Sequence, residues 1–153
     1  VAKIARGFNL NVLAAANKIN DKRKKLLKEQ NIELVTLDNL LKNSDIVSLH
    51  VPLLKSTKYL INLDKIKMMK RSSYLINLSR GEVVNEQDLI FSLRNNIIAG
   101  YATDVFEKEK NKSELFDLDN TVFTPHIGAM TYEAQEEIGH ILVKKIKHFV
   151  KNE

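Results

Sequence analysis

The stretch Tyr74-Leu75-Ile76-Asn77-Leu78-Ser79-Arg80-Gly81 decides the fold: it is an apolar run that ends abruptly in a polar, cationic turn. It reads as a strand of a parallel sheet with its active edge at the turn. In open α/β sheets ligands collect beyond the carboxyl ends of the strands, so an arginine just past a buried strand points its rigid donor fork at a bound anion. Taken alone, Arg80-Gly81 reads better as a solvated turn in which glycine supplies a permissive backbone. The downstream sequence favours the binding role.

Two more strand ends follow, and each delivers a titratable group. Ile98-Ala99-Gly100-Tyr101-Ala102-Thr103 runs into Asp104-Val105-Phe106-Glu107-Lys108-Glu109, and Thr121-Val122-Phe123-Thr124 runs into Pro125-His126-Ile127-Gly128. A cation, a carboxylate and an imidazole thus converge on one rim. That set can bind a carboxylate and move a proton: arginine grips the anion, histidine is the acid and base, and a carboxylate holds the imidazole.

Four ordered motifs carry a resemblance. Ser44-Asp45-Ile46-Val47-Ser48-Leu49-His50-Val51-Pro52-Leu53, Ile76-Asn77-Leu78-Ser79-Arg80-Gly81, Asp104-Val105-Phe106-Glu107-Lys108-Glu109 and Thr124-Pro125-His126-Ile127-Gly128 together resemble the cofactor domain of the D-isomer-specific 2-hydroxyacid dehydrogenases, over nearly the whole chain. The resemblance implies that Arg80 binds substrate, Glu109 orients the histidine and His126 donates or accepts the proton. It further implies cofactor contacts at Ala16, His50, Pro52, Leu78, Ser79, Arg80, Asp104, His126, Gly128 and Ala129, with Asp104 meeting the nicotinamide carboxamide. Glu107 competes with Glu109, because on an extended segment the two side chains face the same way.

Length and composition bound the reading. At 153 residues the chain is one domain with room for a single core. It has no cysteine, which excludes disulfides and thiolate metal sites. No run approaches the roughly 18 apolar residues of a membrane span and no leader opens the chain, so a cytoplasmic location with no membrane partner is expected. The formal charge of +5 raises the question of nucleic acid. Yet the lysines cluster on two amphipathic helices, 21–30 and 131–150, with no interleaved aromatics to stack on bases. No nucleic-acid partner is expected.

Val1-Ala2-Lys3-Ile4-Ala5-Arg6-Gly7-Phe8 has a helical apolar spacing without a cap or an initiator methionine, so the chain begins inside an element. By the resemblance, a first strand, a Gly-x-Gly-x-x-Gly phosphate turn and a substrate domain are missing ahead of Val1. Asn11–Ala15 reads as a strand, and Ala16-Asn17-Lys18 follows where the family carries an aspartate for the ribose hydroxyls. Ala16 cannot accept those bonds. Either the contact is lost, or Asn17 and Lys18 tolerate the 2′-phosphate of NADP in place of NAD.

The spacing predicts a helix over 21–30 with Leu26 and Leu27 buried, a strand over 32–35, and a helix over 37–43 with Thr36 or Asp38 as N-cap. A strand over 45–49 and a short helix over 63–69, with Ile66 and Met69 inward, come next. Both prolines lie within two residues of a histidine at a strand end, where they stop the ladder. His50 reads as a cofactor contact or a structural histidine. Asn85 caps a helix over 86–95 with Leu89, Ile90 and Leu93 on one side, and the unit 74–103 forms a parallel crossover. A surface loop over 110–120, pinned by Leu115, Phe116 and Leu118, starts with Lys110 where the family often has proline. A long helix over 131–150 closes the chain, its expected buried face being Ala134, Ile138, Ile141, Leu142, Ile146 and Phe149.

The fold class expected is a doubly wound, Rossmann-like parallel α/β sheet lacking its first strand and glycine turn. The function expected is part of an NAD-dependent (or NADP-dependent) oxidoreductase that interconverts a small D-2-hydroxy acid and its 2-keto acid, nearest the 3-phosphoglycerate dehydrogenase branch, as a homodimer. The alternative is a catalytically silent module or a dinucleotide-sensing, dimerising scaffold, which Ala16 and the missing turn favour for the chain by itself.

Overall fold

Strand β4 (Tyr74–Asn77) sits where the apolar run predicts it, inside a four-stranded parallel sheet of order β3-β4-β5-β6. It pairs with β3 (Ile46–Leu49) and β5 (Gly100–Thr103), and β5 pairs in turn with β6 (Thr121–Phe123). A computed structural model describes residues 1–107 and 113–150; Glu109 and Lys110 lie outside the described residues. The register pairs Val47 with Leu75 and Leu75 with Tyr101, then Leu49 with Asn77 and Asn77 with Thr103. Because side chains alternate along a strand, these two rows share one face, and all six residues are buried. On the opposite face Ile46 and Tyr74 are more than half exposed.

The buried face is covered by two helices. α4 (Leu63–Ile66) is capped by the Asn62 side chain and buries Ile66. α5 (Glu86–Arg94) is capped by Asn85, whose side-chain oxygen accepts the Asp88 amide at 3.2 Å, and buries Leu89, Ile90 and Leu93. The core runs from Leu41 through Met69 and Leu75 to Leu115. The β4-α5-β5 crossover is therefore the centre of the molecule, as its hydrophobic spacing predicts.

The first part of the chain adds little to that core. α1 (Ala2–Gly7), β1 (Leu13–Ala14), α2 (Asp21–Glu29) and β2 (Glu33–Leu34) precede α3 (Leu37–Asn43), and β1 pairs in parallel only with β2, in a separate two-stranded sheet. Thr36 caps α3 by accepting the Asn39 amide at 3.2 Å. Ile32 is the one buried large apolar residue among residues 1–36.

Two expectations about buried faces are corrected. Leu26 on α2 is half exposed. The long helix α6 (Tyr132–Val150) forms over the predicted span, but it buries none of its residues, and Ile138, Ile141, Leu142, Ile146 and Phe149 are 48 to 67% exposed. Amphipathic spacing states which side of a helix can be covered; it does not supply the cover, and among the described residues this row stays open. Phe116 is likewise partly exposed, although it stacks 4.5 Å from Phe123. Among the described residues no helix is long and apolar enough to cross a membrane, and no cluster could hold a metal ion.

Candidate active site at the carboxyl edge of the sheet

Asn77, the last residue of β4, shapes the arginine turn. Its side chain is fully buried, and its amide donates to the Arg80 carbonyl at 2.9 Å. Its side-chain oxygen accepts the Ser79 amide at 3.1 Å and the Ser79 hydroxyl at 2.9 Å. A short amide side chain that bonds the backbone ahead of it makes a turn without secondary structure. The turn leaves the Arg80 side chain exposed, with one guanidinium nitrogen donating to the Ser79 carbonyl at 2.7 Å.

The other side of this turn is held from two directions. Gly81 lies directly on the Phe106–Glu107 backbone, where an added Cβ would overlap main-chain atoms. Residues 59–61 run alongside: the Tyr59 amide donates to the Glu82 carbonyl at 2.8 Å, and the Ile61 amide donates to the Val83 carbonyl at 3.1 Å. The Tyr59 hydroxyl also donates to Glu107 at 2.6 Å. This bond to a carboxylate, helped by burial and the charge of Glu107, pushes the Tyr59 hydroxyl above its ordinary pKa. It also engages Glu107, the competitor to Glu109, with Tyr59.

His126 lies in the loop after β6, with a left-handed backbone at φ 57°. That conformation costs a non-glycine residue about 1–2 kcal/mol, so something must hold it. The His126 amide donates to the Thr124 carbonyl at 3.0 Å. Beyond it, the Ile127 and Gly128 amides each donate at 2.8 Å to the carboxylate of Asp104, which also accepts the Thr124 hydroxyl. The Thr124 hydroxyl, then the two amides and nearby His126, hold the Asp104 carboxyl below its ordinary range, against the opposing effect of burial. Gly128 must be glycine here, since a Cβ would stand 2.9 Å from Asp104 Oδ2.

The two loops share a frame. The Asn77 carbonyl accepts the Thr103 hydroxyl at 3.0 Å and the Asp104 amide at 3.3 Å. Asn77, Thr103 and Phe123 end neighbouring strands, which sets the ends of β4 and β6 about 10 Å apart, with the arginine turn following one and the histidine loop the other. Beside Arg80 opens a cavity of about 500 Å³ lined by His50, Val51, Pro52, Leu53, Leu78, Ser79 and Arg80. Such a volume accommodates part of a dinucleotide. The His50 ring bonds Ser48 at 2.9 Å, and Thr57 locks the wall by donating to the Pro52 carbonyl at 2.6 Å and accepting the Leu54 amide at 2.8 Å.

Of the expected site residues, His50, Pro52, Leu78, Ser79 and Arg80 thus line one cavity, and Asp104, His126 and Gly128 form one loop cluster. Ala129 follows that cluster, its carbonyl accepting the Gln135 side chain at 2.8 Å. Ala16 is exposed after β1 and lines neither group. Sequence reading missed the structural work of Asn77, Thr57, Tyr59 and Thr124. A buried asparagine closing an apolar run was a readable signal for the first; the Tyr59–Glu107 bond, across 48 residues, has no local signal.

A parallel sheet with a cavity and two side-chain-anchored loops at its carboxyl edge has the architecture of a dinucleotide-binding α/β domain. The chain belongs to the D-isomer specific 2-hydroxyacid dehydrogenases: the NAD binding domain of that family matches residues 1–128. Glyoxylate reductase of Pyrococcus furiosus is 40% identical over all of this chain and 45% of its own length. D-3-phosphoglycerate dehydrogenase of Methanocaldococcus jannaschii is 36% identical over all of this chain and 29% of its own length. The chain therefore spans less than half of these relatives. Among solved structures, D-lactate dehydrogenase from Aquifex aeolicus complexed with NAD and lactic acid superposes with a TM-score of 0.85 at 35% identity, covering 99% of this chain and 49% of that one.

Proposed function

We propose that this chain is the cofactor-binding part, continuing beyond its own ends into a substrate domain, of an oxidoreductase that interconverts a small D-2-hydroxy acid and its 2-keto acid. The observation that carries this is the shared frame of Asn77 and Asp104, which ties the Arg80 turn and the His126 loop to one rim beside the cavity. A nicotinamide cofactor held there would supply the hydride for C2 of the keto acid and take it back from the hydroxy acid. Arg80 grips the substrate carboxylate through paired donors. His126 gives its proton to the carbonyl oxygen as C2 gains hydride, and takes the hydroxyl proton in the reverse direction. Glu109 orients the imidazole.

His50, Pro52, Leu78 and Ser79 would hold the cofactor, with Gly128 and Ala129 at the nicotinamide end. The bare Ala16, followed by Asn17 and Lys18, removes the carboxylate that would repel a 2′-phosphate, so the site accepts NADP as well as NAD. Glyoxylate is the favoured substrate, on the higher identity to glyoxylate reductase, with 3-phosphoglycerate as the second choice. A homodimer, which rests on the resemblance alone, and a cytoplasmic location belong to the same reading. Absorbance at the nicotinamide band, followed with the complete protein, both reduced cofactors and a panel of glyoxylate, hydroxypyruvate, 3-phosphohydroxypyruvate and pyruvate, tests the proposal. Turnover of at least one of these acids is expected, with the D isomer formed wherever the product is chiral; no turnover with any of them would overturn it.

A further inference from the structure

The resemblance assigns Asp104 to the nicotinamide, yet both of its oxygens are already engaged by the protein. Oδ1 accepts the Ile127 amide and the Thr124 hydroxyl, and Oδ2 accepts the Gly128 amide. The side chain is 6% exposed. All three donors come from the loop that carries His126. Successive backbone amides beside a left-handed residue form a concavity that binds an anion, and Asp104 is the anion that fills this one.

We propose that Asp104 is a positioning residue for His126: its carboxylate holds the left-handed turn at His126 and so fixes where the imidazole stands on the rim. The inference rests on the proposed role of His126. Three features support it. The left-handed backbone at His126 is unfavourable on its own, and the two amides that follow it are satisfied by Asp104. Asp104 is itself anchored, through its amide, to the Asn77 carbonyl, and the same Asn77 folds the Arg80 turn through its side chain. The two functional side chains are thus set relative to each other by one hydrogen-bonded path. Finally, Gly128 leaves room for Oδ2 beside the loop, because a Cβ there would press on it at 2.9 Å.

An asparagine at 104 keeps the shape but turns an NH2 toward one of the two amides, so the loop must release a donor and shift. Misplacing a reacting group by an ångström costs roughly 100-fold in rate, so kcat should fall by about that factor in Asp104→Asn. Cofactor affinity, read by fluorescence titration of the complete protein, should stay near wild type. Thr124→Val should lower kcat in the same sense, and Thr124→Ser should restore it by returning the hydroxyl. The amide resonances of Ile127 and Gly128 give a readout independent of turnover and should move together in Asp104→Asn. If that variant fails to fold, Thr124→Val and Thr124→Ser decide the matter. Unchanged kcat, or a cofactor dissociation constant that rises as far as kcat falls, would overturn the positioning role. Wild-type protein without turnover would instead overturn the proposed function, whereas turnover lost in His126→Asn but kept in Asp104→Asn would overturn this inference alone.

Discussion

Gly81 rests on the backbone of Phe106, so closely that no side chain fits between the two chain segments. The contact joins the turn that presents Arg80 to the segment that follows β5. Main-chain atoms cannot move aside as a flexible side chain can. Gly81→Ala should therefore destabilise the protein by about 1–3 kcal/mol, as overpacking of a tight interior does, and should raise KM for the keto acid by displacing Arg80. Urea unfolding together with steady-state kinetics would check it; an unchanged midpoint would contradict the close approach.

Asp104 sets an acid limit. Its carboxyl is held below the ordinary value, so the charged form is favoured by folding. The stabilisation is fully present above the unfolded value of about 3.9 and is lost as pH falls through the lower folded value. The stability difference between wild type and Asp104→Asn should be constant at neutral and mildly acid pH and should shrink on further acidification. Unfolding midpoints across that range measure it. A difference that stays constant into strong acid would contradict the engaged carboxylate.

Much of this was legible in the sequence. The β4 run, the Thr36 and Asn85 caps and the inward Ile66, Met69, Leu89, Ile90 and Leu93 follow from local spacing and turn chemistry, and each holds. Arg80 and His126 could be placed at strand ends because apolar runs stop abruptly before them. What local pattern could not give was anything made across distance. The exposed row on α6 has the right periodicity but no described partner, and Ile138 at 50% exposure shows how little a moment says about cover. Tyr59 with Glu107, and Asp104 with the His126 loop, are contacts between segments 48 and 20 to 24 residues apart, so no motif spacing encodes them.

Tyr59 offers an alkaline counterpart. Its hydroxyl is pushed above the ordinary value, chiefly by donating to Glu107. The stabilisation it gives is fully present below the unfolded value of about 10 and is lost as pH rises through the raised folded value. Tyr59→Phe should remove one late-ionising phenol from the absorbance titration and loosen the Glu107 segment. A titration curve that keeps the same number of late phenols would show that Tyr59 ionises normally.

The central claim is that His126 moves the proton while Arg80 holds the acid. The most direct measurement is the single-turnover rate of hydride transfer from prebound reduced cofactor to saturating keto acid, wild type against His126→Asn. Asparagine tolerates the left-handed backbone at that position, so the loop is kept and only the imidazole is lost. The expected result is a rate lower by about 10²- to 10⁴-fold with cofactor affinity preserved; a rate within error of wild type would contradict the claim.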